Sequence, residues 1–260
     1  MSLLWKLLLP TSIAITVLFA VTGWIVQEHA TRLTSLSLQE EVRASFQAYE
    51  SLWKARAEML GSITQVLSRM PDVRAAFSTR DGATIRDTAG EIWRRIARED
   101  AVFFVTDPRG SVIASLGGLE AQPPGELPLV LVAARRFPTQ SSGFVTLGDR
   151  LYQVVVTPVY VEIAREPALL NVLVAGYEVG DGVARNLEAA TGGSRFAFTV
   201  RGRTVASSGP AGAGAADSIG VIRKPLLDLE GNAIGELRIS RSFEAARQHI
   251  EAANMAVEQI

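Results

Sequence analysis

The chain of 260 residues contains no cysteine and only two histidines. The absence of cysteine excludes disulfides, thiolate metal sites and thiol catalysis. The histidines, His29 and His249, lie near opposite ends of the chain, so a zinc site or a histidine-based catalytic centre lacks ligands. The formal net charge is −1. We therefore exclude a nucleic-acid partner, because the chain has no basic excess with which to neutralise phosphates.

Catalytic motifs are missing as well. Glycines cluster at 117–118, 192–193 and 209–214, but none of these clusters matches a P-loop or a dinucleotide-binding fingerprint. Paired serines at 141–142 and 207–208 have no nearby histidine that would activate them. We expect no catalytic residue, no metal and no cofactor in the chain shown.

Charge is absent from residues 7–26, a largely apolar run of 20 residues. A helix of this length spans the roughly 30 Å hydrocarbon core of a bilayer. A cleaved signal peptide is the alternative, but its apolar core is usually about 7–15 residues long. Lys6 precedes the run and Glu28 follows it, so the positive-inside rule predicts a cytoplasmic N-terminus. Residues 1–26 are thus predicted to form a cytoplasmic tip and one transmembrane helix, with the remainder extracytoplasmic.

Residues 27–98 are predicted to form a long helix that emerges from the membrane and a second, amphipathic helix. The first helix has no proline before Pro71, and its apolar residues recur at steps of four and three. The apolar stripe has two possible partners, the same helix of a second subunit or a β-sheet of the same chain. Its members are Val42, Phe46, Tyr49, Trp53, Leu60, Ile63 and Leu67.

Short β-rich runs separated by turn residues follow residue 98. Residues 99–180 are predicted to form two strands, a helix and three antiparallel strands. Asp107 is predicted to be the first residue of a tight turn in the first hairpin. Residues 181–242 repeat both the opening hairpin and the closing strand-to-helix element at shorter spacing. The sequence therefore predicts an α+β chain with two tandem antiparallel units, the second smaller, followed by a helix at 243–260.

Several stretches in this order resemble the double Cache sensory domains of bacterial receptors. They are ITQVLSRMPDVRAAFSTRD, FFVTDPRGSVIASLGG, RLYQVVVTPVY with NVLVAGYEVGDGVARNLEAATG, and FAFTVRGRTVASS, and they cover most of residues 60–245. The resemblance is to the type that precedes sensor histidine kinases and nucleotide cyclases, with two PAS-like units. It implies a periplasmic domain, anchored in the inner membrane by one span, that holds a small molecule in its membrane-distal unit, residues 99–180. The smaller unit is then membrane-proximal.

Two departures from the family narrow this expectation. The Arg-x-Trp-Tyr run that marks amino-acid-binding members is absent, so an amino acid is not the expected ligand. The chain also ends at Ile260 inside an uncapped helical pattern that leads towards a second span. We expect a fragment of a longer receptor, whose output domain would be a histidine kinase or a diguanylate or adenylate cyclase.

Five residues are candidates for ligand binding in the membrane-distal unit. Arg135 and Arg136 end the helical piece and Arg150 opens a strand, and each can pair with a carboxylate through two hydrogen bonds. An anion is therefore a candidate ligand. Tyr152 and Tyr177 add hydroxyls from two strands. The alternatives are a solvent-exposed helix end for the arginines and core packing for the tyrosines.

Two functions remain open from the sequence. The first is a ligand sensor that relays binding by helix displacement in a homodimer, since a single-span receptor signals only if one helix moves against another. For this function the apolar stripe would be the seam of the dimer. The second is a ligand-free interaction module that docks a periplasmic protein. A pocket with converging polar groups favours the sensor, and a filled apolar interior with an exposed hydrophobic patch favours the module.

Overall fold

The computed structural model describes residues 40, 42–96, 101–117, 124–163, 166–209 and 218–242. The predicted span at residues 7–26 and the predicted helix at 243–260 lie outside these residues. Within the described ranges, no helix is both long enough and apolar enough to cross a membrane. The described chain is α+β, with helices at its N-terminal side followed by two antiparallel sheets, as the sequence predicts.

Within residues 42–96, three helices are present, rather than one long and one short. They are α1 (residues 42–69), α2 (Pro71–Thr79) and α3 (Gly82–Ile96). The division between α1 and α2 falls at Met70, whose backbone is extended with φ −69° and ψ 126°. A residue that precedes proline is sterically disfavoured in the helical region, and a proline is well suited to the first position of a new helix. Pro71 therefore ends α1 and starts α2.

The corner between α2 and α3 has its own hydrogen-bonded caps. Arg80 ends α2 in the left-handed region with φ 54°, and its N–H donates to the Phe77 carbonyl. The Asp81 carboxylate then accepts from the Thr84 N–H (3.0 Å) and the Thr84 hydroxyl (2.7 Å). These hydrogen bonds to Thr84, and that to Ala83, hold the pKa of Asp81 below its usual value. Asp81 is thus the N-terminal cap of α3.

The first sheet contains five strands and one crossover helix, in the sequence order that the β-rich runs predict. The elements are β1 (Ala101–Thr106), β2 (Val112–Ser115), α4 (Leu129–Ala134), β3 (Ser141–Leu147), β4 (Arg150–Ile163) and β5 (Glu166–Glu178). Their spatial order is β2-β1-β5-β4-β3, with every pair antiparallel. The chain enters the sheet on β1 and leaves it on the neighbouring central strand β5, and β2 and β3 are the two edges.

The second sheet repeats this topology with one strand fewer among the described residues. Its elements are α5 (Asp181–Ala190), β6 (Arg195–Val200), β7 (Arg203–Ser207), β8 (Ser218–Leu227) and β9 (Ala233–Ser242). The spatial order is β7-β6-β9-β8, which matches β2-β1-β5-β4 of the first sheet. The repeated hairpin and the repeated closing strand therefore occupy equivalent places in the two sheets, which confirms the predicted repeat.

Helix α1 packs against both sheets with the apolar stripe that the sequence shows. Leu60 and Leu67 are fully buried against the first sheet, together with Phe103 and Ala175. The N-terminal half of the stripe packs on the second sheet, where its members are Val42, Phe46, Tyr49 and Trp53. Of the two partners that the sequence left open, the structure places the chain's own sheets on the stripe. Most of these side chains are therefore buried within the chain itself, and Phe46 and Ile63 are partly buried.

Candidate ligand site

A groove runs along the outer edge of the first sheet, between strand β3 and the segment that leads into α4. Its volume is about 590 Å³, within the range usual for small-molecule sites. A smaller extension of about 180 Å³ continues from it towards the second sheet, and both parts share Leu129, Val145 and Thr146. We refer to the two parts together as the β3 groove. The remaining residues of the larger part are Pro124, Glu126, Leu127, Pro128, Leu147 and Gly148.

The wall opposite β3 is fixed by backbone hydrogen bonds to the β1–β2 turn. The Leu127 N–H donates to the Gly110 carbonyl (2.8 Å), and the Val112 N–H donates to the Gly125 carbonyl (3.0 Å). Gly110 has φ 93°, and a Cβ at this position would lie 2.6 Å from the Leu127 carbonyl oxygen. Only glycine permits both the left-handed backbone and this close approach. The segment before α4 is therefore held rigidly over the sheet.

Helix α4 covers the sheet with an apolar face. Leu129, Val130 and Ala133 are buried against valines and phenylalanine of the central strands. On β4 the residues that point to this side alternate, as a strand requires, and they are Tyr152, Val154 and Val156. This interior is filled by apolar side chains, and the accessible volume lies at its β3 edge. The hydroxyl of Tyr152 is a polar group buried among these apolar side chains.

Arg150 and Tyr152 lie together with Glu178 at one end of the sheet. The Arg150 guanidinium donates to the Glu178 carboxylate at 3.0 Å, and the charge of Glu178 raises the pKa of Arg150. Burial raises the pKa of the Tyr152 hydroxyl, Glu178 raises it further, and Arg150 opposes both effects. Arg150 is therefore already engaged by a carboxylate of the same chain.

The other three predicted ligand residues lie elsewhere. Arg135 is exposed and its Nη1 is 2.7 Å from Glu230 Oε1 of the second sheet's hairpin. Arg136 is exposed in the turn after α4. Tyr177 is buried on the opposite face of the sheet, where the Arg56 guanidinium lies 5.1 Å from its ring centroid. The structure brings Arg150 and Tyr152 together, but the five candidates do not line one pocket, because Tyr152 and Tyr177 point to opposite sides of the sheet.

The turn at residues 228–232, between β8 and β9, contributes to the β3 groove and was not singled out from the sequence. Asp228 Oδ1 accepts from the Glu230 and Asn232 N–H groups, both at 2.8 Å. Asp107 makes the same two hydrogen bonds in the first hairpin, so the shared pattern Asp-x-x-Gly could have revealed the turn. Its docking could not be foreseen, because it joins positions far apart in the chain.

The tip of this turn enters the first unit. Leu229 is 4% exposed and packs in the apolar cluster under α4. Gly143 on β3 allows this approach, since a Cβ there would lie 2.7 Å from the Asp228 carbonyl carbon and 2.8 Å from the Leu229 nitrogen. Asp228, Leu229, Glu230 and Ile234 line the smaller part of the groove. The second sheet thus forms one end of the candidate ligand site.

The charged residues that line the groove are all acidic. Glu126 lines the larger part and Asp228 and Glu230 line the smaller part, whereas its described lining includes no lysine or arginine. Thr146, which is half-buried, lines both parts. For metal binding, no three His, Asp or Glu side chains come together anywhere in the described ranges. The site suits hydrogen-bond donors and apolar groups of a ligand better than an anion.

Comparison with protein families gives a match over most of the chain. Residues 35–223 match the family dCache_3, described as the double sensory domain of two-component sensor kinases. No curated protein matches the sequence.

Solved structures of sensor domains share the fold at low sequence identity. The periplasmic domain of LuxQ from Vibrio cholerae has a TM-score of 0.55 at 12% identity, with 80% of this chain and 99% of that one covered. The sensor domain of the histidine kinase DctB from V. cholerae has a TM-score of 0.53 at 15% identity, covering 80% and 98% of the two chains. At such low sequence identities, these similarities show a shared fold and nothing more.

Proposed function

We propose a function from one premise: the chain belongs to the double Cache family of sensory domains of two-component sensor kinases. Our proposal is that it forms the extracytoplasmic sensing region of a membrane-anchored receptor and binds a small molecule in the β3 groove. The observation that carries the proposal is the groove itself, which is walled by β3 and the segment before α4 and closed by Leu229 of the second sheet. A ligand there contacts both units at once.

The groove also indicates the class of ligand. Its walls are mostly aliphatic, and Thr146 is among its lining residues. Of its carboxylates, Glu230 is paired with Arg135 and Asp228 accepts hydrogen bonds within its own turn, so Glu126 is the one left to meet a ligand cation among the described lining residues. We infer a small, largely apolar molecule that carries an amine or hydroxyl. This revises the anionic ligand favoured by the sequence, because Arg135 and Arg150 are paired with carboxylates of the chain.

Residues 7–26 provide the membrane anchor in this proposal, and an output domain acts beyond residue 260. Ligand binding is relayed by a two-state shift that a ligand biases through contacts made in one state only. The groove is suited to this because its occupant touches both α4 and the turn at 228–232. Displacement of that turn moves β8 and β9, which lead to the C-terminal end of the described chain.

A homodimer supplies the second helix against which α1 can move. The outer face of α1 carries a second stripe at steps of four and three, formed by Ala48, Leu52, Ala55, Met59, Ser62 and Val66. Of these, Leu52 also packs partly against the second sheet. Met59 is 45% exposed and Val66 is 60% exposed. Small residues alternate with larger apolar ones along this stripe, a pattern that allows two helices to approach closely and interlock. We propose this face of α1, and not the buried stripe, as the dimer seam.

Thermal unfolding of the purified full chain in a non-ionic detergent tests the ligand proposal. A panel of small amines, alcohols, purines, sugars and carboxylates is screened, and a ligand at about 100 times its Kd adds about 2.7 kcal/mol of stability. Thr146→Val should reduce the stabilisation by a hit, because it removes the groove hydroxyl at constant volume. Thr204→Val, on an exposed strand position of the second sheet, should leave it unchanged.

Other results of the same screen would redirect the proposal. A flat response across the panel would contradict small-molecule sensing and favour the protein-docking module, for which the exposed Leu131 on α4 offers a contact surface. Binding that Thr204→Val weakens as strongly as Thr146→Val would place the ligand outside the groove.

Sedimentation equilibrium tests the dimer separately. Val66→Glu places a charge in the proposed seam and should convert a dimer to a monomer. Gln47→Glu adds the same charge at an exposed position of α1 farther from the stripe and should leave the dimer intact. A monomeric wild-type chain would refute the seam without bearing on the groove.

A further inference from the structure

A polar cleft lies at the corner where α1 ends and α2 begins, on the opposite face of the first sheet from α4. Its volume is about 250 Å³. Helix α1, helix α2, the segment that leads into β3 and the C-terminal half of β4 all contribute to it. The lining residues are Gln65, Ser68, Arg69, Arg74, Pro138, Gln140, Thr157, Pro158 and Tyr160.

The floor of the cleft is a buried hydrogen-bond network between α1 and the sheet. The hydroxyls of Thr64 and Thr157 are 2.7 Å apart, and the Gln140 side-chain amide donates to Thr157 Oγ1 at 2.8 Å. The same amide donates to the Gly61 carbonyl at 2.9 Å. Thr64 and Thr157 are almost completely buried. Buried polar groups that satisfy one another in this way hold a fixed geometry, so the cleft is preorganised.

The charge of the cleft is positive and is not balanced within its lining. Arg69 and Arg74 contribute two cations, and none of the lining residues is acidic. Among the described residues, neither guanidinium lies within 4.0 Å of a carboxylate, whereas Arg135, Arg150 and Arg203 each do. Two unneutralised guanidinium groups that share one cleft repel each other. An anion bound between them would relieve this repulsion.

Uncharged donors lie around the cations. Tyr160 carries a hydroxyl and Gln65 carries an amide, whereas the Ser68 hydroxyl already donates to the Gln65 backbone carbonyl at 2.8 Å. Pro138 and Pro158 form apolar walls. Guanidinium groups bind carboxylates and phosphates through paired, charge-assisted hydrogen bonds, and neutral donors satisfy the remaining oxygens. The volume admits a small organic anion or inorganic phosphate.

We propose that this cleft is a second binding site, for a small molecule that bears an oxyanion, either phosphate or carboxylate. The site is independent of the β3 groove. Thr157 shares its β4 face with Val155 and Val159, which pack towards the helices, whereas the groove lies on the α4 side of the sheet. Because its floor joins α1 to β3 and β4, an anion held there fastens the corner between α1 and α2 to the first sheet.

Calorimetric titration of the full chain at low salt tests the proposal, with inorganic phosphate and succinate as separate probes. Arg69→Gln and Arg74→Gln should each weaken binding about tenfold or more, since a charge-assisted hydrogen bond contributes roughly that factor. Arg94→Gln is the matched control, because Arg94 is exposed on α3 and does not line the cleft. It should change the affinity by less than a factor of two. Which probe binds more tightly identifies phosphate or carboxylate as the preferred source of the oxyanion.

Variants that leave both arginines in place test whether binding depends on more than net charge. Gln65→Ala and Tyr160→Phe should each weaken the binding of the preferred probe by a few fold, and circular dichroism should confirm that every variant is folded. Failure of both probes to bind the wild-type chain at millimolar concentration would overturn the proposal. Equal weakening by Arg94→Gln and by the cleft variants would overturn it too, because the anion would then bind by net charge alone.

Discussion

Leu229 at the tip of the β8–β9 turn provides the sharpest test of how the two units are joined. Its side chain belongs to the second unit but is buried, with 4% exposure, in the apolar cluster beneath α4 of the first. Leu227 stands two residues away in the same hairpin and is 44% exposed. The substitutions Leu229→Ala and Leu227→Ala therefore remove the same atoms from the same hairpin, and they differ in burial.

The expected magnitude follows from this difference. A buried Leu→Ala change costs about 2–5 kcal/mol, depending on how well the site collapses. A turn can relax more than a central strand, so we expect about 2–3 kcal/mol for Leu229→Ala. At about 2–4 °C per kcal/mol for a folded region of this size, the midpoint of thermal unfolding should fall by roughly 4–12 °C. Leu227→Ala should stay within about 0.5 kcal/mol of the wild type, as exposed substitutions usually do.

Unfolding monitored by circular dichroism and by calorimetry on the full chain gives these shifts. Similar shifts for the two variants would refute the idea that the turn anchors one unit in the other. A second result would also contradict it: if Leu229→Ala split the transition without lowering the first midpoint, the first unit would not depend on the turn.

Three further predictions concern the same contacts. Gly143→Ala should cost about 1–3 kcal/mol, because its Cβ would meet the backbone of the turn, whereas Gly182→Ala, with open space around it, should be neutral or stabilising in urea unfolding. For Asp228, burial raises the pKa but the hydrogen bonds from Asn232 and Glu230 outweigh this and lower it. The contribution of the ionised Asp228 to stability is thus complete above about pH 4 and is lost as the pH falls through the lowered pKa. Asp228→Asn should therefore lower the free energy of unfolding near neutrality and match the wild-type value in acid. Thr64→Val and Thr157→Val should be non-additive in a double-mutant cycle, since each removes the partner of the other.

The sheet topology was largely predictable because it depends on local patterns. Alternating β-rich runs and turn residues identify the strands, and the repeated hairpin requires two sheets with equivalent strand order. The alternation also placed Tyr152 and Tyr177 on definite faces of their strands. It did not reveal that the faces are opposite sides of one sheet, because this depends on the register between β4 and β5, in which Gln153, not Tyr152, stands opposite Tyr177.

The long-range contacts could not be predicted for a related reason. A stripe of apolar residues at steps of three and four shows which face of α1 is buried, but it does not show which sheet or helix packs against that face. The outer stripe with Met59 and Val66 has the same spacing and smaller residues, so it is less conspicuous. Similarly, Arg135 and Arg150 look like free guanidinium groups in the sequence. Their pairing with Glu230 and Glu178 depends on approaches across 95 and 28 residues of chain.

The joint between the units bears directly on how a ligand in the β3 groove would act. Trp53 of α1 lies 5.4 Å from the ring of Phe144 in the first unit and 6.1 Å from that of Phe198 in the second. Leu229 makes the other connection, on the α4 side of the first sheet. With attachments on both faces of that sheet, the second unit cannot rotate about one of them without displacing the other. In the function proposed above, a ligand that displaces Leu229 would also strain the contacts of Trp53, and this would couple the β8–β9 hairpin to α1.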